Sequence, residues 1–289
     1  MKICPSCSAR FSSSNWHCPA CGGDVAAENG VMLFAPEIAR ESTGFNPGYY
    51  AELARLEAGN FWFRARNRLI VQTLRKCFPH AGRFLEVGCG TGYVLSGVAQ
   101  AFPSMTLVGS ELFPQGLAFA ANRVPHASMI QMDARAIPFQ REFDVIGAFD
   151  VLEHVEEDER VLLQMHQAVV DGGSIMLTVP QHRFLWSRQD EYACHVRRYS
   201  AKELRDKVER AGFSVTRMTS FVTFLLPLMY LARRRKRAAG MEFDPLEELR
   251  IGGFVNAALS AVLTIEATMI GLGVSLPAGG SLLMIAMKK

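Results

Sequence analysis

Phe84-Leu85-Glu86-Val87-Gly88-Cys89-Gly90-Thr91-Gly92 is the stretch that decides the fold. A short apolar run that reads as a strand ends in Glu86 and Val87. Three glycines follow at alternate positions, and 93–101 continues with helical spacing. Glycine tolerates a left-handed backbone and lets the chain come close to a ligand, and open α/β sheets bind ligands at the carboxyl ends of their strands. The spacing is G-x-G-x-G, tighter than the G-x-G-x-x-G of a dinucleotide fingerprint.

Outward from this loop, strand and helix patterns alternate. Residues 106–109, 129–132, 143–149 and 174–179 read as strands, and 114–123, 157–170 and 201–211 as helices, the last with Ser200 as N-cap. Residues 213–219 and 281–287 complete a sheet. This order predicts an α/β, Rossmann-like, doubly wound fold with seven strands. The last two strands are separated by 220–280, too long for a structureless loop, so a helical insertion at about 221–278 is expected.

Acidic residues recur at the ends of successive strands: Glu86, Glu111, Asp133 and Asp150. A carboxylate after the second strand can accept hydrogen bonds from ribose hydroxyls. Asp133 suits an adenine amino group, while Asp150 and Glu86 favour positive charge. Such a set fits a cationic nucleoside better than a pyrophosphate. For any one of these acids, the plainer role is a turn or a helix cap.

Leu85-Glu86-Val87-Gly88-Cys89-Gly90-Thr91-Gly92 and Asp150-Val151-Leu152-Glu153-His154-Val155 together resemble the first and fourth motifs of class I S-adenosylmethionine-dependent methyltransferases. The resemblance covers about 60–220 plus the last strand. It implies a mostly parallel sheet with an antiparallel last strand, and S-adenosylmethionine as cofactor. Carried over position by position, it implies a cofactor site made of Glu86, Gly88, Cys89, Gly90, Gly92, Glu111, Leu112, Asp133, Ala134 and Asp150. Segments 61–68 and 186–199 also resemble a bacterial subgroup whose acceptor the resemblance does not supply.

The N-terminus has a different character. Cys4-Pro-Ser-Cys7 and Cys18-Pro-Ala-Cys21 form a C-x2-C-x10-C-x2-C array, four thiolates spaced for tetrahedral zinc in a module too small for an apolar core. The expected layout is a zinc-ribbon-like module at 1–24, a linker at 25–45 and the methyltransferase domain at 46–289. Cys77, Cys89 and Cys194 read as isolated thiols. No secretory signal opens the chain, so a cytoplasmic location is expected, with peripheral contact at the membrane's cytoplasmic face as an addition.

The 289 residues are 49% hydrophobic and 20% charged, with a net charge of +3. Disorder is thereby excluded, and the charge is no nucleic-acid footprint. Arg233-Arg234-Arg235-Lys236-Arg237 is a local exception, next to an apolar stretch from Ile251 to Leu276. Glu266 in its middle disfavours a spanning helix. Apolar segments around a basic run suit an interfacial membrane element over 221–276, and a buried cap or dimer interface suits them almost as well.

Methyl transfer from a sulfonium is an in-line displacement that depends on alignment, with a base needed for a hydroxyl or ammonium acceptor. His154 and His195 are the catalytic candidates. Trp186, Arg197, Arg198 and Tyr199 are expected to bind the acceptor, and with Arg64, Arg66 and Arg68 they suggest an anionic one. Trp62 and Phe63 read as core packing. The favoured function is methylation of a small-molecule or lipid-linked acceptor. The alternatives are methylation of ribosomal or transfer RNA, and a non-catalytic protein that binds the cofactor.

Overall fold

The strands alternate their side chains between two cores, and this alternation sets the layers. The computed structural model describes residues 1–41, 48–239 and 250–289, with backbone alone for 235–239. Arg235, Lys236 and Arg237 of the basic run, and 42–47 at the expected domain boundary, therefore lie outside the described side chains.

The N-terminal part contains strands β1 (Lys2–Ile3), β2 (Arg10–Phe11), β3 (Ala27–Glu28) and β4 (Val31–Leu33), followed by helices α1 (Pro36–Glu41), α2 (Tyr49–Leu56) and α3 (Phe61–Cys77). Then come β5 (Arg83–Val87), α4 (Tyr93–Ala101), β6 (Thr106–Glu111), α5 (Pro114–Arg123), β7 (Ser128–Gln131) and β8 (Phe143–Phe149). The rest is α6 (Asp158–Ala168), β9 (Val169–Pro180), α7 (Arg188–Tyr192), α8 (Ala201–Arg210), β10 (Phe213–Phe221), α9 (Leu226–Ala239), α10 (Gly253–Gly271) and β11 (Ser281–Lys288).

The main sheet runs β10-β11-β9-β8-β5-β6-β7-β4-β3. Strands β5 to β9 pair in parallel, and β11 is antiparallel to both of its neighbours, as the resemblance implies. Phe84, Val145, Leu283 and Ile285 enter the core shared with α3, α4, α5 and α10. Leu85, Ile146, Leu282 and Met284 enter the opposite core, with α6 and α8.

The sheet has nine strands instead of seven, and the extra two come from the segment expected to be a linker. Val31-Met32-Leu33 is apolar and pairs in parallel with β7, while β3 folds back on it as a hairpin. Its turn, Asn29-Gly30, has φ of 49° and 81°, the backbone that favours these two residues in tight hairpins. Gln131 fixes the junction: its amide accepts from Ala35 N and donates to Ala35 O and Leu112 O, each at 2.9 Å. Trp16 of the cysteine module packs edge-on against Phe34 and Phe139.

The insertion between β10 and β11 is helical, as expected. Helix α10 lays Leu263, Ala267 and Ile270 on the core beside α3. The mid-helix Glu266 is buried and receives the amides of Val222 (2.5 Å), Thr223 (2.7 Å) and Phe224 (3.0 Å) just before α9. That carboxylate is what holds the two cap helices together. Glu266→Ala would leave three amides without their acceptor, and we expect a loss of about 2–4 kcal/mol in urea unfolding, with Glu266→Gln losing less. An unchanged midpoint for the alanine variant would refute this role.

Candidate functional site

The turn out of β5 takes a left-handed backbone at each of its three glycines, with φ of 69°, 52° and 75° at Gly88, Gly90 and Gly92. A Cβ on Gly88 would lie 2.5 Å from Val151 Cγ2, and one on Gly92 2.8 Å from the Ala120 backbone. Any side chain there would thus push away the Asp150 loop or helix α5. Cys89 is buried, and its N–H donates to Ser110 O at 2.8 Å.

Around this turn the four predicted acids differ in how far they are satisfied. Glu111 accepts from Gly90 N at 3.0 Å and Leu112 N at 2.7 Å, so it braces the loop from β6. It also accepts a hydrogen bond from the Tyr50 hydroxyl. Glu86 is 2% exposed, and its Oε2 has no partner. Burial pushes its carboxyl up to about 8, against the opposing charge of Arg66. Asp133 has turned to Arg135, accepting from its backbone N at 2.8 Å and its side chain at 2.9 Å, beside the half-buried Ala134. Asp150, itself at φ 57°, meets Arg66 Nε at 2.6 Å.

Three contributors were not singled out from the sequence. Tyr50 of α2 lies over the loop, its ring next to Gly90 and Gly116. Glu57 accepts from Thr91 Oγ1 at 2.8 Å and from Arg123, tying the loop to α5. Glu153 is completely buried, and both its carboxylate oxygens lack partners. Its place in the Asp150–Val155 motif was the available signal.

The loop after β9 differs from expectation. Arg198 is nearly buried, with its guanidinium on Asp190 Oδ1 (2.8 Å) and Gln181 O (3.2 Å). Tyr199 is fully buried and donates to Asp158 Oδ2 at 2.7 Å, and Arg197 Nη1 lies 2.7 Å from the same oxygen. These three predicted acceptor-binding residues therefore serve as framework, because buried aspartates claim them first. Trp186 is half-buried and donates to Glu191 at 3.3 Å. Arg66 and Arg68 are likewise engaged, with Asp150 and Thr264, leaving Arg64 exposed.

The two histidines do come together, with ring centroids 4.7 Å apart. Val196 N donates to Glu153 O at 2.7 Å, which draws the β9 loop onto the motif after β8. His195 Nδ1 lies 2.9 Å from Asp190 Oδ1. Burial works to raise the Asp190 carboxyl, but the His195 hydrogen bond and the Arg198 charge outweigh it and hold it well below the usual range. Surrounding protein and the neighbouring His195 push His154 down to about 3, although part of its ring meets solvent.

At the N-terminus, Cys4, Cys7, Cys18 and Cys21 converge, with Sγ–Sγ distances of 3.7 Å for Cys4–Cys21 and Cys7–Cys18. A zinc–sulfur bond of about 2.3 Å gives a tetrahedron edge of about 3.8 Å, so the donor set fits the ion.

The fold and the glycine turn define a class, nucleoside-binding α/β proteins of the methyltransferase type. The family described as a methyltransferase domain matches residues 59–217, and the chain belongs to it. It is an S-adenosylmethionine-dependent methyltransferase. It is similar to a probable S-adenosylmethionine-dependent methyltransferase of Mycobacterium tuberculosis, 25% identical over 200 residues, 63% of this chain and 71% of that one. A phosphatidylethanolamine N-methyltransferase of Cereibacter sphaeroides is 33% identical over 103 residues, 33% of this chain and 49% of that one. Among solved structures, phosphoethanolamine N-methyltransferase 2 of Haemonchus contortus superposes with a TM-score of 0.57 at 16% identity, covering 88% of this chain and 60% of that one.

The raised Glu86 carboxyl has a consequence for stability. An unfolded glutamate ionises near pH ~4.3, whereas folded Glu86 keeps its proton up to about 8. Stability from this group is thus full below the unfolded value and is lost as pH rises toward 8. Glu86→Gln should match the wild type near pH 4 and exceed it by a few kcal/mol at pH 8 in denaturant unfolding. A variant that is less stable at pH 8 would mean that Glu86 is ionised and paired.

Proposed function

We propose that the chain binds S-adenosylmethionine against the glycine turn and methylates a lipid-linked or amphiphilic acceptor presented at a membrane surface. The cofactor supplies an electrophilic methyl group on a sulfonium. Gly88, Gly90 and Gly92, with Cys89 between them, leave room for its nucleoside. Glu111 accepts a hydroxyl, as it does from Tyr50, and Leu112, Asp133 and Ala134 line the adenine end. The Asp150 carboxylate suits its cationic end, and the unpartnered Glu86 Oε2 offers a buried hydrogen-bonding atom beside it. His195, with Asp190 fixing its tautomer, addresses the acceptor beside Trp186.

The observation that carries the acceptor class is a stripe on α10. Phe254, Ala258, Ala261, Ile265, Thr268 and Leu272 recur at helical spacing and all face outward. Phe254 is 89% exposed, Ile265 60% and Leu272 80%. Leu228 and Leu231 of α9 are also exposed, next to Arg233 and Arg234. An exposed apolar helix face, with arginines following exposed leucines on the other cap helix, fits an anionic bilayer. Glu266 is held inside the fold, so α10 lies on the surface instead of crossing it. The cap also reaches the acceptor loop, since Arg233 donates to Leu185 O and Phe184 meets Tyr230 edge-on. The similarity to an enzyme named for phosphatidylethanolamine supports the same reading. We also assign the four-cysteine cluster to zinc, on its tetrahedral spacing.

Calorimetry with S-adenosylmethionine should show Glu111→Ala binding about 10–100-fold more weakly than the wild type, and equal affinity would sink the cofactor assignment. In flotation with anionic liposomes the wild type should rise with the vesicles. The triple variant Phe254→Ser, Ile265→Ser, Leu272→Ser should stay below. A wild type that does not float, or a dimer in solution that the triple variant dissolves, would assign the stripe elsewhere.

A further inference from the structure

Glu153, His154 and His195 form a second cluster of metal-ligating groups, away from the cysteines. Their candidate ligand atoms all lie within 4.8 Å of one another. We propose that these three side chains bind a divalent first-row metal ion at the acceptor end of the cleft. This rests on the reading that the β9 loop faces the acceptor.

Three observations carry it. The first is the carboxylate. Glu153 has no exposed surface, and both its oxygens lack any hydrogen-bond partner. A buried carboxylate without donors is costly, and the cost is relieved either by a proton, as at Glu86, or by pairing with a cation. Arg66 and Arg198 are close enough to act on it electrostatically, but they bond to Asp150 and Asp190 instead.

The second is the state of the imidazoles. His195 Nδ1 is on the Asp190 carboxylate at 2.9 Å, and the His154 ring bonds to the Ala193 carbonyl. An acceptor-only partner requires the N–H on the bonded nitrogen, so each ring keeps a lone pair on its other nitrogen. Metal-binding histidines are oriented in this way, by a carboxylate or carbonyl behind the ring. Asp190 is in turn clamped by Arg198 and by Ser187 N at 2.8 Å, so the orienting group is itself fixed.

The third is access. His154 is exposed and His195 half-buried, while Glu153 closes the inner side. Three protein ligands on one side of an ion leave positions open toward the cleft, the arrangement of sites that bind substrate oxygen. Two imidazoles and a carboxylate suit zinc, iron(II), nickel or cobalt. In the divalent series zinc binds such donors more tightly than iron or manganese, so it is a fair probe for the whole group.

The test counts zinc on the full chain by competition with a chromophoric chelator. Wild type should hold two ions, one in the cysteine cluster and one here. Glu153→Gln and His195→Gln should each hold one, with affinity for the second reduced at least about 100-fold. Cys18→Ser should also hold one, but the other. Metal-free Glu153→Gln should melt no lower than the metal-free wild type, since its carboxylate has no partner to lose. A wild type with a single ion that disappears only in Cys18→Ser, or a Glu153→Gln that keeps two, would overturn the site. Wild type that binds S-adenosylhomocysteine in calorimetry but holds one zinc would remove this proposal alone. Failure to bind that ligand would count against the methyltransferase reading of the cleft.

Discussion

The structure is organised around a turn that has no room for side chains. Leaving β5, the chain bends through three left-handed glycines, and two of them are filled from the other side by Val151 and by the Ala120 backbone. This close approach fixes where the loop after β8 lies relative to the loop after β5. Asp150, Glu153 and His154 then fall at one end of the cleft, and Glu111, through the Gly90 amide, at the other. A single methyl group at Gly88 would separate the two loops.

A second feature is the unequal treatment of buried charge. Asp158 and Asp190 are saturated with partners: Tyr199, Arg197 and Lys207 on the first, His195, Arg198 and Ser187 on the second. Glu86 and Glu153 retain oxygens with none. Saturated carboxylates hold the β9 loop in position, since breaking a buried pair is far costlier than breaking an exposed one. Unsaturated ones leave buried polar atoms without a partner inside the protein. Glu153 and Asp158, one of each kind, are only five positions apart.

This division explains what could be read from the sequence. Strand and helix order was legible because burial on both faces of the sheet imposes continuous apolar runs, and the glycine spacing marked the turn. The helical insertion followed from length alone. Roles within the β9 loop were not legible, because an arginine facing an acceptor and one clamping Asp190 are written in the same letters. Tyr50 and Glu57 lie 34 to 66 positions before the residues they touch, with no local pattern to connect them. The β3–β4 hairpin did leave a signal in Asn29-Gly30, but next to a four-cysteine array a polar stretch reads most simply as a tether.

That hairpin also settles how the sheet ends. Without it, β7 would present Met129, Ile130 and the backbone groups that now pair with β4, an open template for other chains. With it, the outermost strand is the two-residue β3, which includes Glu28 and is too short and too charged to recruit a neighbour. The hairpin thereby covers the sheet edge, and the cysteine module packs against its far end at Phe34. Trp16 wedges it against Phe139, and the chain's first residues are stitched to Pro138 and Gln140. The covered edge is thus buttressed by a separate small module, at the opposite end of the sheet from β10.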